Sequence, residues 1–423
     1  MKTDLQHVFC FPLIPVPLSL ADVTGSTHKA MKSKLLAHLE AKVAKVIIKP
    51  KYDVYIVDAM LTVRAVTPRP LTYAPVAKAV LKMITYAPIV YFVCDEYRNP
   101  SIKDVERETR GMSFVFVQIT GANQWCPADY MQLCSSVFKT SLLHFLLAER
   151  SSQKYMEIIN GHTIYFCIEQ FIYRINAVGG EVLRTRMPGA ECKHEEAHTR
   201  IIYHLHEISQ CKKEDERNRA QMSTREGTTF QARQINAVVR TDDTDVLVLL
   251  THYIAYFTNV NVFMGAGKSS NNNRRLIDIS QLAAVLGSNV CKALRGIHAF
   301  GGCDFTAPMY YQGKGEIFEL ACGKKKDVYL KAFEALGEGQ EVSSNSKDAL
   351  ESFTCDLYGQ TSTENVNTAR CQMYNKKYRP SVKEKSLDKI KGMDASRLLP
   401  CKEVLLLKIA RDNYVCYLWK HAH

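Results

Sequence analysis

None of the fourteen cysteines falls in a C-x-x-C pair, which argues against a thiolate zinc site of the usual spacing. They sit mostly inside apolar stretches such as YFVC at Cys94 and YFC at Cys167, as buried free thiols in a reducing compartment do, and not in the pattern of a disulfide framework. No stretch approaches the roughly 18 uninterrupted apolar residues of a membrane span. There is no internal repeat and no low-complexity tract. The N-terminal run VFCFPLIPVPLSLA is apolar, but Asp4 and His7 precede it, Pro12, Pro15 and Pro17 interrupt it, and a small-residue cleavage site is missing. These absences lead us to expect an intracellular protein, nuclear or cytoplasmic and not secreted, with no membrane partner.

What is present is a globular composition. The chain has 423 residues, 46% of them apolar, enough for one large domain or two ordinary ones with a real core. Its formal charge of +12 favours a polyanionic partner, because a basic surface concentrates phosphates whatever the fold.

Residues 1–48 read as a proline-punctuated arm followed by an amphipathic helix from 31. VYIVDA (54–59) and IVYFVC (89–94) are short continuous apolar runs, as in strands buried on both faces, and 74–86 between them is long enough for a crossover helix. A β-α-β unit implies a parallel sheet. A helix is expected at 128–149, strand-like segments at 163–168 and 181–185, a helix at about 195–210, and a solvated loop at 211–232. INAVVRT (235–241) and VNVFMG (260–265) read as strands flanking a helix at 243–257; beyond about 320 the chain reads as helical. The expected fold class is α/β.

Acids gather at the predicted strand ends. Asp58 closes VYIVD, Asp95 follows YFVC, and TDDTD brings Asp243 and Asp245 to the end of a third strand. Asp243 could simply cap the following helix. Three strand ends carrying carboxylates are harder to explain that way, since the C-terminal strand ends of a parallel sheet line the ligand crevice. Crowded carboxylates repel unless cations compensate, and Mg²⁺ or Mn²⁺ is the natural compensation. Two such ions about 4 Å apart activate water and stabilise the leaving oxygen of a phosphodiester. A basic chain with an acidic metal site therefore points to nucleic acid.

The set VDAM (Asp58), VCDEY (Asp95), HEEAH (Glu196), TDDTD (Asp243, Asp245) and GGCDF (Asp304) resembles, in order, the motifs of the structure-specific 5′ nucleases, the flap-endonuclease branch of the PIN-like superfamily. It is more similar still to a group of mobile-element-associated PIN-like proteins of animals. The stretches carrying that likeness are PLSLAD (17–22), DEYRNPSIKDVER (95–107), HEEAHTR (194–200), TDDTDV (241–246), HAFGGCDFTAPMYYQGKG (298–315) and LPCKEVLLLKIARDNYVCYLWK (399–420).

The resemblance implies a three-layer PIN-like core over 49–320 with a central, mainly parallel sheet and a large insertion at about 112–190, preceded by the 1–48 arm and followed by a helical region at 321–423. It implies a nuclease with a two-metal site of Mg²⁺ or Mn²⁺, acting on nucleic acid with DNA favoured over RNA. Asp58, Asp95, Glu196, Asp243, Asp245 and Asp304 would be the catalytic metal ligands. Lys103, Arg107 and Arg110 would approach the scissile phosphate, and Gly313, Lys314 and Gly315 would form the hairpin that grips duplex backbone. One position departs from the pattern: the family has an acid where this chain has His198. Histidine ligates Mn²⁺ but is a poor Mg²⁺ ligand, so a catalytically impaired nucleic-acid-binding or transposon accessory protein is the alternative.

Three other readings compete. His194-Glu195-Glu196-Ala197-His198 matches the H-E-x-x-H pattern of zinc metallopeptidases, which needs both histidines on one helical face. Its third ligand is unaccounted for: Ile201 stands where metzincins turn at glycine, and on a continuing helix His204 falls roughly 240° around from His198. AVVRTDDTDVL is similar to the D-x-D signature of haloacid-dehalogenase-type phosphatases, but that reading leaves Asp58 and Asp95 unused. FMGAGKSS (263–270) has the look of a Walker A loop, but Val262 stands where its first glycine belongs, so a turn after a strand is expected.

Overall fold

The computed structural model describes residues 4–422 apart from 68–70, 98–117, 127–134, 227–232, 268–272 and 378–393. By packing, the chain forms two compact units. One comprises residues 40–285 with the last two residues, the other 1–39 with 286–421. The first unit is the α/β one. The helices after Leu286 pack with the C-terminal segment.

Two short helices, α1 (Leu5–Phe9) and α2 (Lys32–Glu40), precede the first strand. The α/β unit then carries eight strands: β1 (Val54–Asp58), β2 (Ile89–Val93), β3 (Thr163–Ile168), β4 (Phe171–Val178), β5 (Glu181–Arg186), β6 (Ile235–Arg240), β7 (Val260–Ala266) and β8 (Arg275–Asp278). They make one mixed sheet in the order β5-β4-β3-β2-β1-β6-β7-β8. The central five run parallel, and β4, β5 and β8 extend the edges antiparallel.

Continuous burial explains the central strands. In β1 the first four residues are all buried, as in a strand covered on both faces. One face, with Tyr55, Val57, Val90, Phe92, Ile164 and Phe166, packs against α3 (Ala59–Arg64), α4 (Tyr73–Ile84) and α5 (Ser136–Arg150). The helix α4 buries residues 73, 76, 77, 80, 81 and 84, the spacing of a single helical stripe. After the short helix α6 (Met156–Ile159), the opposite face of β1 and β2 is covered by α7 (Ala197–Glu226), whose His204 ring lies 5.3 Å from Tyr91. A shorter helix, α8 (Thr244–Tyr253), packs against α7 and follows β6.

The stretch expected as an insertion, about 112–190, contributes β3, β4 and β5 to the sheet. Gly179 and Gly180, both at positive φ, make the two-residue turn from β4 to β5. The segment expected to loop from 211 is helical to Glu226, because its Glu, Lys, Arg, Gln and Ala content favours helix even without an apolar stripe.

The second unit is helical. After α9 (Ile279–Leu286), it comprises α10 (Ser288–Phe300), α11 (Lys314–Ala321), α12 (Lys326–Glu334), α13 (Ser344–Leu357), α14 (Val366–Lys377) and α15 (Lys402–Lys420). Its core is built on edge-to-face contacts among Phe300, Phe333 and Phe353. Close helix approach is paid for by Gly296, where a Cβ would fall 2.2 Å from the Phe333 carbonyl oxygen. No helix among the described residues is long and apolar enough to cross a membrane.

Candidate metal centre

Strand order reverses at β1, with β2 and β3 on one side and β6 and β7 on the other. In open α/β sheets such a switch point opens a ligand crevice at the C-terminal strand ends. Asp58 is the last residue of β1, and Asp243 lies three residues beyond the end of β6.

Asp58 caps α3, its Oδ1 accepting from the Met60 and Leu61 amides at 2.8 and 3.2 Å. Burial of its carboxyl, and then the charge of Asp95, push its pKa above the usual carboxylate value; the two amides and Arg64 pull the other way. The residue surface is half-buried while the carboxyl itself is densely surrounded by protein. It is the hydration of the charged atoms that decides the shift.

Asp95, just past β2, accepts from the backbone N–H of Ala197, the first residue of α7, at 2.7 Å. The neighbouring Glu96 donates its N–H to the Glu195 carbonyl at 2.7 Å, and its Oε2 meets the buried Arg200 guanidinium at 3.2 Å. Arg200 in turn donates to the His194 carbonyl at 2.6 Å. Residues 194–200 are thus clamped to the end of β2, which fixes where α7 begins.

Two residues into this region the buried side chains of Glu196 and His198 meet at 2.6 Å, Oε2 to Nε2. His198, Asp243 and Asp245 each offer a ligand atom, all within 4.8 Å of one another. This is the one such group of three among the described residues. Asp243 is held as the cap of α8: its N–H reaches the Thr241 hydroxyl at 3.1 Å and its Oδ1 accepts from Asp245 N–H at 2.9 Å. Asp245 is almost fully buried. Asp242 faces elsewhere, accepting from Gly267 N–H at 2.6 Å.

An imidazole and two carboxylates with this spacing can hold a divalent ion after small side-chain adjustments, given metal–ligand bonds of about 2.0–2.2 Å. The mixed donor set fits first-row transition ions as well as or better than Mg²⁺.

Of the six expected acids, Asp243 and Asp245 belong to this group, Asp58 and Asp95 interact with each other, and Glu196 reaches the group through His198. Asp304 belongs to the helical unit, where it pairs with Lys32 at 2.7 Å. Sequence reasoning marked His198 as a histidine where an acid was expected, able to ligate Mn²⁺ but poorly suited to Mg²⁺; the structure places it beside Asp243 and Asp245.

Lys103, Arg107 and Arg110 lie outside the described residues. Gly313 caps α11, and Lys314 is turned inward, its Nζ 2.9 Å from both Nδ1 and the carbonyl oxygen of His298. Its ammonium is held inside the helical unit. The adjacent Gly315 is open toward His38.

The H-E-x-x-H geometry is corrected. Because α7 starts at Ala197, His194 lies before the helix and shares no helical face with His198. His204 is buried between the Tyr91 and Tyr203 rings, and burial, with help from Arg200 and His194, pushes its pKa down to about 3. The Walker-like stretch ends β7 and turns at Gly267, where φ is +85° and a Cβ would overlap the Asn273 carbonyl.

No family model matches this chain, and no curated protein matches it.

Proposed function

We propose that the chain is a divalent-metal-dependent nuclease that hydrolyses phosphodiester bonds, with DNA favoured over RNA. The observation that carries this reading is the convergence of His198, Asp243 and Asp245 within 4.8 Å at the end of β6. It gains support from Asp58, whose raised pKa, caused by burial and Asp95, is the behaviour of a carboxylate cluster that calls for a cation.

His198, Asp243 and Asp245 would hold one ion, and Asp58 and Asp95 would serve a second. Glu196 would orient the imbedded imidazole and fix its tautomer, as carboxylates behind metal-ligating histidines do. When bound, the ions supply an ionised water near neutral pH and Lewis-acid stabilisation of the leaving oxygen. The protein fixes the donors on rigid strand ends and helix starts. Read this way, His198 shifts the preference toward Mn²⁺ and is no sign of impairment.

The test is cleavage of labelled single-stranded and flap DNA, with RNA in parallel, by the purified chain in Mn²⁺ and in Mg²⁺. Cleavage dependent on metal and abolished in Asp243→Ala is expected. Cleavage that survives chelation, or an unimpaired Asp243→Ala, would overturn the reading.

A further inference from the structure

On the sheet face that carries α4 and α5, a cavity of about 310 Å³ lies over β1, β6, β7 and β8. That volume is in the range of small-molecule sites. Its aromatic wall is made by Tyr52 and Tyr55, with rings nearly parallel at 6.2 Å, and by the half-exposed Tyr86, edge-on to Tyr55 at 5.7 Å. Lys49, Arg240, Arg274 and Arg275 also line it, and among the described residues no acid does.

Arg240 is pinned in place, its guanidinium donating to the carbonyls of Gly265, at 2.7 Å, and Gly267. Lys49 and Arg274 are paired with no carboxylate among the described residues. Of the other two lining arginines, Arg275 pairs with Glu40 and Arg240 with Asp242 at 3.3 Å. Gly265 keeps the floor open: a Cβ there would only reach ordinary contact with Arg240, Val238 and Leu276 at 3.6–3.7 Å.

We infer that this cavity is a subsite for one unpaired nucleotide of a single strand, its base against the tyrosine rings and its flanking phosphates on Lys49 and Arg274. Aromatic rings beside cations are how proteins hold single strands without reading sequence, since every base has a π-face and every linkage a charge; here Tyr86 is exposed, Tyr52 partly buried, and Tyr55 buried behind them. The placement suits that use. Arg240 ends β6 three residues before Asp243, so the cavity wall and the carboxylate group are at most about 11 Å apart along the chain. Its purpose as a strand-holding subsite rests on the nuclease reading, whereas its binding does not.

The experiment measures fluorescence anisotropy of a labelled oligothymidine, about a dozen nucleotides long, against the full chain in chelator, where no cutting occurs. Tyr52→Ala and Arg274→Ala are each expected to weaken binding roughly ten-fold, and Tyr52→Phe to leave it intact. Gly265→Leu, which fills the cavity from a strand position that tolerates a side chain, is expected to do the same as the alanine variants while melting like the parent. Equal binding by parent, Tyr52→Ala, Arg274→Ala and Gly265→Leu overturns the subsite. So does competition by thymidine monophosphate as effective as by the oligonucleotide, since a strand is then not what is held. Asp243→Ala is expected to bind the oligonucleotide normally. Binding that depends on Tyr52 and Arg274, without cleavage in any metal, would uphold the subsite and sink the nuclease reading alone.

Discussion

Asp58 carries the strain of the crevice. Its folded pKa is raised above 3.8 by burial and by Asp95, so between 3.8 and the folded value the native chain binds more protons than the unfolded one. Stability contributed by this group therefore falls as pH rises through that window, and the penalty is fully present above it. Asp58→Asn keeps an oxygen for the Met60 and Leu61 amides and removes the charge. Thermal melts of the metal-free protein should show the variant more stable by a few degrees at neutral pH, with the gain vanishing below about pH 4. Metal-dependent activity should be lost, a trade of function for stability. A variant less stable at pH 7 would mean that the carboxylate is paid back by a partner in the apo state. His198 gives a second residue-scale test. His198→Ala should abolish tight Mn²⁺ binding, and His198→Asp should restore binding with Mg²⁺ gaining on Mn²⁺, because the donor set becomes all oxygen. An unchanged Mn²⁺ to Mg²⁺ ratio by calorimetry would remove His198 from the donor set. At this scale the sequence was half legible: the order and spacing of the acids point to the strand ends where His198, Asp243 and Asp245 come within 4.8 Å of one another, but not to the contact of Glu196 with His198 at 2.6 Å. Nothing in the one-dimensional pattern says which of two residues on either side of Ala197 faces a strand end, since that depends on where α7 starts.

That start is an element-scale property, set by Asp95. Its Oδ1 satisfies the Ala197 amide, one of the donors that a helix start leaves without an intrahelical partner. Asp95→Ala should cost about 1 kcal/mol of stability, the usual value of a lost N-terminal cap, and Asp95→Asn much less. Both should lower activity, because Asn keeps the cap but not the charge. Equal stability of all three forms in urea titrations would show that Arg200 and Glu96 fix the helix start without Asp95. Legibility varied by element for physical reasons. The strands β1, β2, β6 and β7 are central and parallel, so burial on both faces writes them as largely apolar runs, broken only by Asn236 and Arg240 in β6 and Asn261 in β7. Next to the edge strand β5, the antiparallel β4 reads FIYRINAV with polar residues on a partly covered face, so no continuous apolar run announces it. The second half of α7 was missed for the converse reason: residues 211–219 are mostly exposed, so no apolar stripe announces them.

For the whole molecule, the expected acids divide between the two units. His198, Asp243 and Asp245 all belong to the α/β unit, whereas Asp304 belongs to the helical one. The motif order in the sequence could not separate them, because nothing local marks the boundary near 286. The first, tight ion is therefore expected to depend on the α/β unit alone. Titration of Mn²⁺ into metal-free protein should raise the unfolding free energy by mass action, about 2.7 kcal/mol when free metal reaches a hundred times its dissociation constant. Hydrogen exchange should slow at 194–200 and 241–246, where the donors and their supports lie. Lowering the pH should weaken binding, because a protonated imidazole cannot ligate. Asp304→Asn should leave this tight event intact in calorimetry. Its Lys32 pair is partly exposed at both ends, and such pairs contribute roughly 0–1 kcal/mol, so the variant should also melt close to the parent. Loss of the tight Mn²⁺ event in Asp304→Asn would sink the assignment of the first ion to His198, Asp243 and Asp245.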